Sequence, residues 1–124
     1  MKNTLTALIA ILATAVAAPT IVCAQAPDVL QQAAVSKPAR TGHIAANGLR
    51  YYYEIHGQGE PLLLLHGGLG SIDMFGPVLP ALARTRQIIA VDLHGHGRTE
   101  LGSRPIDLVD IGDDLAVVLQ GLGY

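Results

Sequence analysis

The sequence predicts an α/β fold that opens with a β-hairpin and continues as strand, helix, strand and helix. Three observations carry this. Apolar residues run without alternation through Leu62 to Leu65 and again within Gln87 to Leu93, the pattern of strands covered on both faces in a parallel sheet. Each run ends abruptly in a turn rich in glycine and histidine. Ile111, Leu115, Val118, Leu119 and Leu122 then recur at the spacing of a helix with one apolar stripe.

The elements follow in order. His43 to Ala46 is a short strand, Asn47-Gly48 a turn dipeptide, and Leu49 to His56 a strand rich in tyrosine, so together they read as an antiparallel hairpin. Gly57, Gly59 and Pro61 mark a loop. After Leu62 to Leu65 comes the loop from His66 to Ser71. A short helix over Gly76 to Arg84 is expected next, with Met74, Phe75, Val78, Leu79 and Leu82 on one side. Pro77 suits a first helical position, and Pro80 is tolerated only in a first turn. Gln87 to Leu93 is the second buried strand, running into His94-Gly95-His96-Gly97. The last helix has Asp107 or Asp110 as its N-cap and Gly121 and Gly123 as its end.

Ahead of this lies a leader. Lys2 precedes an apolar stretch from Leu5 to Ala18, followed by Pro19 and the small residues around Val22 to Ala26. That order is the pattern of a secretory signal peptide over residues 1–24. Its apolar core is shorter than the about 20 residues of a membrane span, and an uncleaved anchor is the alternative. Cleavage fits after Ala24 or after Ala26; the second would leave Pro27 at the new terminus, so the first is preferred. A lipid-modified Cys23 lacks a small residue before it. Residues 25–40 read as an Ala/Gln/Pro-rich flexible tether, and residues 41–124 as one domain. Export to a periplasm or the outside of the cell follows, with no stable membrane span after cleavage.

Composition excludes several classes. Cys23 is the only cysteine, so the exported part has neither disulfides nor cysteine metal ligands. The net charge of −2, without a basic cluster, excludes a nucleic-acid partner.

Three segments, in this order, resemble the α/β-hydrolase family: Leu62 to Gly68, the strand and His-Gly loop; Asp92 to Thr99, an Asp-x-x-Gly-x-Gly-x-Thr turn; and Asp113 to Leu119, the helix before the family's nucleophile strand. The likeness covers residues 41–124 and implies the N-terminal portion of an α/β-hydrolase sheet, incomplete. It also implies that Gly68, and after it Leu69, offers a backbone N–H to an oxyanion. His66 and Gly67 would organise that loop, while Asp92, Gly95 and Gly97 build a structural turn. Glycine suits such a donor because a backbone without Cβ approaches a developing charge closely.

Other readings of the same residues are weaker. His66, His94 and His96 lack a carboxylate or cysteine at ligand spacing, so no metal is expected. Glu100 stands where a dinucleotide loop needs its third glycine, and no cofactor is implied. Ser36, Ser71 and Ser103 are the only serines, and none lies in Gly-x-Ser-x-Gly. The resemblance implies that nucleophile, acid and catalytic histidine lie beyond Tyr124, and the 124-residue chain alone is expected to be inactive. The intact protein would cleave an ester or related acyl bond of a small molecule through a Ser-Asp/Glu-His triad. Relatives with an Asp nucleophile, the epoxide hydrolases and haloalkane dehalogenases, usually carry proline where this chain has Leu69. A non-catalytic secreted binding remnant is the other alternative. Without a further strand beside Leu62 to Leu65, an apolar edge is expected there.

Overall fold

The computed structural model describes residues 37–76 and 78–124. The leader over 1–24, its cleavage points, the tether as far as Ser36, and Pro77 lie outside the described residues.

Four strands form one sheet in the order β1-β2-β4-β3. Strands β1 (Arg40–Ala46) and β2 (Leu49–His56) pair antiparallel, from Ala46↔Leu49 to Arg40↔Ile55. Asn47 and Gly48 join them with φ of 45° and 87°, the double left-handed turn that matches the twist of a hairpin. β1 begins three residues before the expected His43, one residue inside the stretch read as a tether. Arg40, Thr41 and Gly42 have no strand composition of their own; they are extended because β2 offers Ile55, Glu54 and Tyr53 as partners.

β3 (Pro61–Leu65) lies parallel to β4 (Gln87–Val91), and β4 runs antiparallel to β2. β4 is an interior strand between β2 and β3, and its Ile88, Ile89, Ala90 and Val91 are all buried. β3 was expected to be covered on both faces, yet Leu62, Leu63 and Leu64 are only half-buried and Leu65 is exposed. Among the described residues it has a partner on one side only, so its other edge is open. β4 also stops at Val91, two residues early, because Asp92 turns away to bind the loops around it.

The expected helix over Gly76 to Arg84 is reduced to the short α1 at Leu79–Leu82, and a 3₁₀ turn at Ile72–Phe75 precedes it. Pro80 stands within the first turn of α1, and the chain tightens to Arg84 N–H→Ala81 O and Thr85 N–H→Leu82 O directly after it, which ends the helix. Of the expected apolar face, Leu79 is buried and Phe75 and Leu82 pack beside it, while Met74 and Val78 are exposed.

Helix α2 (Leu108–Leu122) is capped by Asp107, whose carboxylate accepts from Val109 N–H (2.8 Å) and Asp110 N–H (3.3 Å). Gly123 ends it at φ 97°, with Gly123 N–H→Gln120 O and Tyr124 N–H→Leu119 O, the paired bonds of a Schellman end. Gly121 is not an end residue but part of the helix. A Cβ there would stand 2.5 Å from Ile44 Cδ1 on β1, so its missing side chain lets α2 approach the sheet. Ile111, Leu115 and Val118 pack on Tyr51, Tyr53, Ile55, Ile89 and Val91. The opposite sheet face, with Ile88 and Ala90, carries Ile72 and Leu79.

Candidate functional site

Two loops leave the same end of the sheet, one after β3 and one after β4, and they are braced to each other. His66 follows β3 and is buried. Its Nδ1 lies 2.7 Å from Gly67 O, and Leu93 N–H donates to its Nε2 at 3.0 Å. A carbonyl only accepts and an amide N–H only donates, so Nδ1 carries the hydrogen and Nε2 the lone pair. His66 therefore ties the first loop to the chain leaving β4.

Gly70 N–H donates to Gly67 O at 3.2 Å and closes a tight turn over Gly67, Gly68, Leu69 and Gly70. Leu69 sits in it at φ 61° with its side chain wholly exposed. A left-handed backbone costs a non-glycine residue about 1–2 kcal/mol, and such strain gathers at functional loops. Gly68 is exposed, and a Cβ on it would touch nothing within 4 Å. The N–H groups of Gly68 and Leu69 have no hydrogen-bond partner among the described residues. Gly70 is different: a Cβ there would stand 2.6 Å from Met74 Sδ and 3.0 Å from Gly67 O.

Asp92, fully buried at the end of β4, is the second brace. Ile72 N–H donates to its Oδ1 at 2.7 Å and Arg98 N–H to its Oδ2 at 2.9 Å. One carboxylate thus holds the residue that follows the first loop and the turn that forms the second. Gly97, at φ 53°, lies against this carboxylate, where a Cβ would collide with it; Gly95 is at φ 72°. Thr99 Oγ1 donates to Asp92 O and accepts from Tyr52 N–H, at 2.6 and 2.9 Å.

The three histidines do not converge on a common point. His94 Nε2 donates to Leu101 O (2.7 Å) and His96 Nδ1 to His94 O (2.8 Å), while the His66 and His96 rings stand 5.3 Å apart. Ser71 precedes the 3₁₀ turn and Ser103 is exposed in the second loop; neither hydrogen-bonds a histidine among the described residues.

Sequence reasoning assigned no role to Asp114. It is fully buried on α2, where Tyr51 OH donates at 2.6 Å, Asn47 Nδ2 at 2.8 Å, and Arg104 through both terminal nitrogens. Burial alone would raise its carboxyl; the hydrogen bonds from Arg104, Tyr51 and Asn47 outweigh that and hold it below the ordinary carboxylate value. Burial, then Asp114, pushes the Tyr51 phenol upward. The cluster straps the second loop to α2 and to the hairpin turn. Asn47 was legible only as a turn residue, since its partner is 67 positions away.

The soluble epoxide hydrolase of Corynebacterium sp. is 38% identical to the chain over 78 residues, covering 63% of the chain and 27% of that enzyme. A pimeloyl-acyl-carrier-protein methyl ester esterase of Legionella pneumophila is 40% identical over 53 residues, covering 43% of the chain and 22% of the esterase. Among solved structures, the unliganded epoxide hydrolase CorEH superposes with a TM-score of 0.65 at 35% identity, over 68% of the chain and 30% of that structure. The chain spans about a quarter of the length of the curated relatives it matches. The family model described as "alpha/beta hydrolase fold" matches residues 60–124, more than half of the sequence and both braced loops, and the chain belongs to that family.

Proposed function

We propose that the loop at Gly67 to Gly70 is the oxyanion-binding part of a hydrolase site, with the N–H groups of Gly68 and Leu69 as donors. The observation that carries this is their pairing: two adjacent amide donors, exposed and unpartnered among the described residues, on a turn that His66 and Asp92 hold in place. A preorganised donor of this kind contributes about 2.7–4 kcal/mol to transition-state binding. The reaction we assign is hydrolysis of an ester or related acyl bond in a small molecule by a Ser-Asp/Glu-His triad. Its nucleophile, acid and histidine would come from residues other than these 124. Export, with loss of residues 1–24, belongs to the same reading.

The test is the natural gene product with p-nitrophenyl butyrate and a fluorophosphonate probe. Turnover together with covalent labelling of a serine supports serine acyl chemistry. A second reading, an epoxide hydrolase with an Asp nucleophile, is favoured by the epoxide hydrolases among the relatives; Leu69 in the usual proline position speaks against it. Styrene oxide opening, with oxygen from labelled water appearing in an aspartate and no serine labelling, would replace the first reading by the second. Mass analysis of the exported protein, with a mature terminus at Gln25, tests the export.

A further inference from the structure

Leu69 stands where the turn after β3 asks for a glycine. Among the described residues only Asn47 and Leu69 combine a side chain with a positive φ, at 45° and 61°. Asn47 is an ordinary choice for a hairpin turn, whereas leucine has no local hydrogen bond to offer in that conformation. Glycines stand at 67, 68 and 70, none of them at positive φ, so the single left-handed position of the turn carries its single side chain. No packing among the described residues compensates, because that side chain is wholly exposed. A strained residue of this kind is characteristic of ligand clamps and functional loops.

Its place beside the donors says what the side chain can touch. The Leu69 N–H is one of the two amide donors without a partner among the described residues. A carbonyl oxygen held by that N–H lies about 2.9 Å from the nitrogen, and the carbon chain attached to that carbonyl is then within reach of the leucine side chain. The neighbourhood is apolar as well. Met74, whose Sδ would stand 2.6 Å from a Cβ on Gly70, and Val78 are exposed, and the exposed Leu65 ends β3 just before the turn. From Leu65 to Ala83 there is no lysine or arginine. His66 is engaged with Gly67 O and Leu93 N–H, and Asp73, the single carboxylate of that stretch, is paired with Arg98 at 2.8 Å. A carboxylate or phosphate on the substrate finds no cation in this stretch to pair with, whereas an uncharged carbon chain gains by covering apolar surface.

Given the oxyanion reading of the loop, on which this rests, we propose that Leu69 sets the substrate class of the site: esters of uncharged, apolar acyl groups whose carbon chain packs on the Leu69 side chain. The residue then acts twice, its N–H on the carbonyl oxygen and its side chain on the carbons beyond the carbonyl. A leucine in place of the less strained glycine is explained by the second of these contacts.

The natural gene product is assayed with p-nitrophenyl acetate, propionate and butyrate, and with p-nitrophenyl hemisuccinate corrected for its spontaneous cleavage. From acetate to butyrate kcat/KM should rise about threefold per methylene, about tenfold in all, with the anionic hemisuccinate about tenfold or more below butyrate. Leu69→Ala, which keeps a side chain at the same backbone position, should bring the butyrate-to-acetate ratio to within about twofold. Leu69→Lys should raise hemisuccinate relative to butyrate. Ratios are the readout because the Leu69 N–H is itself a donor, and a shifted backbone slows all esters alike. An unchanged ratio in Leu69→Ala, or an equal loss on every ester, overturns the proposal. A Leu69→Ala protein that melts well below the unsubstituted one, or does not fold, places the side chain against the protein's own chain and overturns it too. Turnover with a flat chain-length profile in the unsubstituted protein overturns it while the oxyanion reading stands; no turnover of any ester, with no serine labelled, overturns both.

Discussion

Gly68 and Gly70 sit two residues apart in one turn and answer to different constraints. Gly68 faces open space, so Gly68→Ala should leave the melting temperature unchanged; under the proposed function, a loss of ester turnover in the natural gene product would then report on oxyanion access. Gly70 stands close against Gly67 O and His66 Nδ1, and Gly70→Ala should destabilise by about 1 kcal/mol, read by urea denaturation. The sequence displayed both glycines but not this difference, which depends on how the loop folds Gly70 back on Gly67 O and His66. Asp92 was legible as a turn residue from its local glycines; its bond to Ile72 N–H was not, because 20 positions separate them. Asp114 gives a pH prediction. Its carboxyl is held below the ordinary value, so its contribution is complete above about pH 4 and is lost as pH falls through the depressed folded value. Asp114→Asn should cost about 2 kcal/mol at pH 7. The gap to the unsubstituted protein should narrow below about pH 4 in parallel urea titrations, and a constant gap would exclude the assignment.

Among elements, α2 was the most legible. Its cap residue, apolar stripe and terminal glycine are local signals, and the cap and the terminal glycine bond within the helix's own ends. Asp107→Ala should cost about 1 kcal/mol and Gly123→Ala about 1 kcal/mol, both checked by thermal melts, whereas Gly112→Ala should stabilise by a few tenths to about 1 kcal/mol. The Gly76 to Arg84 segment was the least legible. Its apolar residues have helical spacing, but only Leu79–Leu82 is α-helical, and Met74 and Phe75 of the expected face fall in the preceding 3₁₀ turn, whose Ile72 N–H is held by Asp92. β1 shows the reverse effect: Arg40 to Gly42 gained strand structure from a partner that no window of local sequence contains.

For the molecule as a whole, the sheet is lopsided. Both β1 and β3 are edge strands among the described residues, but β1 has α2 packed over its face while β3 shows an open edge of leucines, a template for pairing with another chain. As a purified 124-residue polypeptide it should associate at micromolar concentration, seen as a concentration-dependent mass by light scattering. Leu65→Lys, which places a charge at the exposed end of that edge, should reduce the association, and a monomer unaffected by the substitution would refute the idea. The strand order has a further consequence in time. β4 sits between β2 and β3 but is synthesised after both, so the sheet cannot grow by adding each new strand to the last. At about 5–20 residues per second, the Pro-Leu-Leu-Leu-Leu segment emerges a second or more before Gln87–Val91 exists to pair with it. During that interval the most apolar strand among the described residues is a nascent segment without a mate, which makes it the natural point of engagement for a chaperone on the ribosome.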